Sequence, residues 1–96
     1  MTTVTRLVDS AAAAYQSLRE VNAAIDASKD PGEIVRRIAI AEANIGDVLE
    51  AISDARPLVG GAAGSELAER DCDLRHLLRA LGTRKAALAA LQETRH

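Results

Sequence analysis

Between Asp30-Pro31 and Arg56-Pro57 the apolar residues fall at Ile34, Ile38, Ala41, Ile45, Val48, Ile52 and Ala55, in alternating steps of four and three. That spacing puts all seven on one face of an α-helix, whereas a strand would send neighbouring residues to opposite faces. Val35 and Leu49 widen the stripe on one side. The boundaries are written in the chain too. Asp30 stands at an N-cap, Pro31 suits the first helical turn and Glu33 sits at the third position in capping-box order. Arg56 precedes Pro57 and is therefore disfavoured in the helical region. The spacing predicts a helix over 31–56.

The segment before it follows the same rule with Val4, Leu7, Ala11, Ala14, Leu18, Val21 and Ile25, and predicts a helix over about 3–27. Val8 and Tyr15 lie beside this seam and broaden it enough to meet two neighbours. After Pro57, "PLVGGAAGS" carries three glycines in nine residues and reads as a hinge, with Ser65 as the cap of a third helix over about 65–94. In that helix Leu67, Leu74, Leu81 and Leu88 recur every seven residues, joined by Leu77, Leu78 and Leu91. Gly82-Thr83 falls midway and offers a break or kink, because glycine costs about 1 kcal/mol relative to alanine inside a helix. The expectation is an all-α fold in a single domain over 1–96. It is an up-down-up three-helix bundle, formed by an antiparallel helical hairpin plus a third helix.

Ninety-six residues leave room for one core. The apolar mass in it is small: 20 alanines, one Tyr, and neither Phe nor Trp. Alanine removes little area from water, and burial contributes roughly 25 cal/mol per Å², so a lone bundle of this kind is marginal and self-association is the natural remedy. The expected partner is a second copy or another protein, through coiled-coil-like seams. The N-terminus has no continuous apolar run and no window reaches 18 apolar residues, so neither a signal peptide nor a membrane span is expected, and the simplest location is the cytoplasm. One cysteine cannot close an internal disulfide. The Ala/Arg/Asp/Gly bias fits a GC-rich bacterial or phage genome.

Four chemistry-bearing residues crowd together in "AERDCDLRH". Glu69, Cys72, Asp73 and His76 fall within an arc of about 100° on a helix. Cys72 and His76 are four apart, as two zinc ligands on one helix can be, and Asp73-x-x-His76 has the spacing of carboxylate and histidine ligands in di-iron bundles. A metal-binding bundle is thus a second functional reading. Against it, the leucine stripe is centred about 120° away, so the cluster points off the core, and the inward positions of the first two helices are aliphatic. The expectation is a solvated face with no metal, no cofactor and no catalytic residue. Cys72 beside His76 lacks a third group to orient the histidine and donors for an oxyanion, which argues against an enzyme.

Charge is uneven although the formal net charge is only −2. Residues 38 to 73 hold eight acids and two bases, while 74 to 96 hold five bases and one acid. A third reading places nucleic acid on Arg75, Arg79, Arg84 and Lys85, but no aromatic residue accompanies them for stacking and no helix-turn-helix spacing is present. An acidic protein surface suits Arg75 and Arg79 as well. Two residues point to an interface more directly. Ile40 lies outside the second seam, and Arg70 lies near the centre of the leucine stripe, where it must snorkel, meet a carboxylate such as Asp54 or Glu50, or lie beyond the end of the bundle. These observations together predict a non-enzymatic helical interaction module, a self-assembling adaptor or scaffold.

Overall fold

The computed structural model describes the backbone of residues 2–27 and 29–94, and the side chains of 5–27 and 29–93. Val4 and His96 therefore lie outside the described side chains. Three α-helices follow one another: α1 (Thr2–Asp26), α2 (Pro31–Ala55) and α3 (Gly61–Thr94), with a 3₁₀ turn (Arg56–Leu58) between the last two. No strand occurs among the described residues. The fold is the all-helical, three-helix arrangement expected.

α2 is the centre of the molecule. All seven seam residues are buried, as is Leu49, and Ile38, Ala41 and Ile45 have no exposed surface at all. The width of that apolar arc follows from position, since α2 packs against α1 on one side and α3 on the other. α1 and α3 do not pack on each other, and no Cα of one lies within 8 Å of the other among the described residues. The bundle is therefore open along one side. Its dimensions of 53 × 19 × 17 Å and radius of gyration of 15.5 Å exceed the roughly 12.5 Å expected of a compact domain of this length.

The face α1 presents to α2 consists of Ala14, Ser17, Val21 and Ala24. These are small side chains, and small side chains at a contact bring helix axes close. Ser17 is the buried polar residue of the core, and its hydroxyl is satisfied twice: it donates to the Ala13 carbonyl at 3.0 Å and accepts from Asn44 Nδ2 at 2.5 Å. Leu7, Leu18 and Ile25 of the expected seam are only half-buried, and Ala11 is exposed. Val8 and Tyr15, expected to meet a second neighbour, are 60% and 66% exposed. The heptad of α1 is real, but only half of it is covered within the chain.

Ion pairs bridge the helices at their exposed edges. Arg6 of α1 reaches Asp54 at 2.6 Å and Glu50 at 3.3 Å on α2, and the Asp54 hydrogen bond raises the guanidinium pKa. Arg37 reaches Glu20 at 3.4 Å, and Lys85 of α3 reaches Glu42 at 2.5 Å. Asp30 is at the N-cap and Pro31 in the first turn, as expected, yet the Asp30 side chain makes no capping hydrogen bond. Glu33 does not close the capping box either. It pairs with Arg36 and Arg37, and the Arg37 hydrogen bond is the main cause holding its carboxyl below the ordinary value.

One expectation for α3, where it begins, is corrected. The helix starts at Gly61, so "GGAAG" is not a hinge and Ser65 is not a cap. Gly61 has φ +60°, a left-handed conformation that glycine adopts without a Cβ penalty, and this single residue redirects the chain so that Ala62 and Ala63 can already be helical. Gly64 then donates to the Gly60 carbonyl at 3.3 Å. Of the two alternatives left open at Gly82-Thr83 the helix continues, and α3 runs 34 residues unbroken. Thr83 Oγ1 donates to the Arg79 carbonyl one turn back, at 3.1 Å, which keeps its hydroxyl satisfied inside the helix. A Cβ added at Gly82 would lie 3.7 Å from Glu42 Oε2, an ordinary contact. Gly82→Ala is accordingly expected to stabilise the fold by about 0.5–1 kcal/mol through lower unfolded-state entropy, read as a higher midpoint in urea with unchanged m-value.

Candidate functional site: an apolar groove between α1 and α3

Because α1 and α3 stay apart, the apolar residues they turn toward each other line an open groove of about 590 Å³. Leu7 and Leu18 form one wall, Leu67 and Leu74 the other, and Val48 and Ile52 of α2 the floor. Every one of these positions belongs to a seam legible in the sequence. Burial within the chain is complete only for the floor. Tyr15 borders the groove on the α1 side, with the Arg19 guanidinium 5.8 Å from its ring centroid. Glu66, Arg70 and Asp73 border it on the α3 side.

The groove can hold an apolar helix edge. Its walls are aliphatic, and its charged groups stand at the rim. Arg70 meets a carboxylate, though neither of the two named: Arg6 engages Asp54 and Glu50, and Arg70 reaches into water and pairs with Glu66 at 3.9 Å on its own helix. Asp73 and Glu69 take part in no ion pair among the described residues, and neither does Arg19.

The remaining sequence candidates are placed as follows. Glu69, Cys72, Asp73 and His76 are all exposed on α3, with Asp73 at the rim of the groove. Among the described residues no group of three His, Cys, Asp or Glu side chains is arranged to hold a metal ion. Of the four cations considered for nucleic acid, Arg75 is paired with Asp71 at 2.6 Å and Lys85 with Glu42, which leaves Arg79 and Arg84. Ile40, 46% exposed, stands on the back of α2 away from the groove. No helix among the described residues is long and apolar enough to cross a membrane. No family model, characterised protein or solved structure matches this chain.

Sequence reasoning missed the groove as a site. The signal for it was present in Val8 and Tyr15, which make the α1 stripe wider than one neighbour needs.

Proposed function

We propose that this chain is a non-enzymatic helical interaction module that self-assembles through the α1–α3 groove, serving as an adaptor or structural component. The carrying observation is the unclosed bundle: two leucine-bearing walls over an apolar floor, open to water. Area favours a second copy as the occupant. The chain exposes 6252 Å², whereas a compact protein of 10.1 kDa exposes about 5,300 Å². The surplus of roughly 950 Å² is close to the ~800 Å² that each partner contributes to a stable standard-sized interface. The small-residue core adds to the case, since a chain with 20 alanines and a single aromatic gains from apolar area supplied by another copy.

The test is sedimentation velocity on the wild-type chain and on Leu67→Gln, in the groove wall. Wild type is expected to associate at micromolar concentration. Leu67→Gln is expected to keep its helical circular dichroism and to associate at least about tenfold more weakly, because a two-fold interface loses the buried side chain twice. A wild-type chain that stays monomeric up to about 100 µM, a dissociation constant too weak for assembly at ordinary cellular concentrations, overturns the reading.

A further inference from the structure

We infer that the groove is filled by α1 of a second copy lying antiparallel, in a two-fold arrangement in which each copy's α1 enters the other's groove. The inference rests on the self-assembly proposed above and specifies which surfaces meet.

The exposed edge of α1 next to the groove is itself apolar. Val8 and Tyr15 are its large members, and Ala11 lies between them on the same edge and lines the groove. Residues at i, i+3 and i+7 form one ridge on a helix. The same helix therefore supplies both a groove wall, Leu7 and Leu18, and a ridge of the width a groove accepts. This is the condition for an isologous contact, in which one patch meets its own copy across a two-fold axis. No other described helix edge beside the groove has it, because the α3 edge carries Glu66, Arg70 and Asp73.

Charge fixes the direction. The Ser17–Asn44 contact and the approach of Gly82 to Glu42 put residue 17 of α1 and residue 82 of α3 at nearly the same level of α2. Glu66 lies 16 residues before Gly82, about 24 Å lower at 1.5 Å per residue. In a copy inverted about Ala11, Arg19 moves to the level of residue 3, which is 14 residues or about 21 Å below Ser17. The two levels agree within one helical turn. Arg19 has no ion pair among the described residues, and the α3 rim at that level offers Glu66, whose own pair with Arg70 is long at 3.9 Å. A parallel docking would instead carry Arg19 up toward Arg79 and Arg84, where cations already stand without partners.

Two measurements on the full chain decide this. In a Cys72→Ser background, Ala11→Cys is expected to cross-link into covalent dimers under mild oxidation, since residue 11 lies beside its own copy at the axis. Arg19→Glu and Glu66→Arg are each expected to weaken association about tenfold at low salt, the pair occurring twice per dimer, and the combined Arg19→Glu/Glu66→Arg chain is expected to recover it to within about threefold. A wild-type dimer whose Ala11→Cys form does not cross-link, or whose charge reversals fail to compensate, overturns this arrangement while leaving self-assembly standing. A strictly monomeric chain overturns both. A monomer that takes up a synthetic amphipathic helix gives the groove a foreign occupant and overturns the two-fold pairing as well.

Discussion

Ile45→Asp is expected to yield a chain with no cooperative unfolding transition at neutral pH. Ile45 has no exposed surface and sits mid-seam on α2, next to the Ser17–Asn44 contact that ties α1 down. The substitution removes a buried branched side chain, costing about 2–4 kcal/mol, and leaves a carboxylate with no cation to meet it, costing several more. A domain of this length has about 5–14 kcal/mol in total, and an alanine-rich one belongs near the lower figure. The loss exceeds what is available. Thermal melts followed by far-ultraviolet circular dichroism check this, with Ile40→Asp as the companion. Ile40 is 46% exposed on the back of the same helix, so an aspartate there stays hydrated and the melt should remain close to wild type. A cooperative melt for Ile45→Asp would mean that the α2 seam is not the core.

The second large effect concerns how α3 is held. Leu81 is the α3 residue that is buried outright among the described ones, at 8% exposed, while Leu67, Leu74, Leu77, Leu78 and Leu88 are partly buried against the same core. Leu81→Ala is expected to cost about 2–3 kcal/mol, from lost burial and the cavity left beside α2. Its distribution matters more than its size. α3 has no packing against α1 and leans on α2 and the 3₁₀ turn alone, so the loss should fall on α3 first. Hydrogen exchange read by mass spectrometry is expected to show amide protection falling across residues 66 to 92 while α1 and α2 keep theirs. Uniform loss across all three helices would show instead that the chain opens as one unit.

The two variants probe different kinds of information in the chain. The α2 seam was legible residue by residue because α2 has neighbours on both sides, and a helix covered twice must be apolar over a broad arc. The α1 seam was legible only as a face. Ala14 and Val21 turned out to meet α2, together with Ser17 and Ala24, which no apolar pattern marks clearly, while Leu7, Ala11 and Leu18 turned toward the groove. Periodicity states which side of a helix avoids water, and it is silent on which element covers that side. The Cys72 and His76 cluster was legible in the same limited sense. Its position off the leucine stripe followed from 100° per residue, and the structure leaves all four residues exposed.

What the sequence by itself determined is local: three helices, all of their boundaries but the start of α3 to within a residue, the order up-down-up, and the apolar stripe of each. These follow from the 3.6-residue repeat and, at the start of α2, from Pro31, whose ring fixes its own φ at a helical value; Arg56 before Pro57 nonetheless keeps helical angles. The tertiary structure decided the rest. A single glycine at φ +60° turns the chain ahead of α3, and the alanines behind it, the best helix formers, carry the first turn where a hinge was expected. Arg6 took the two carboxylates that Arg70 was expected to find, since ion-pair choice depends on which helix ends lie side by side. The gap between α1 and α3 has the same origin. Whether two apolar faces meet depends on where their helices dock around the one between them, and α1 and α3 dock on α2 far enough apart that no Cα of one lies within 8 Å of the other among the described residues.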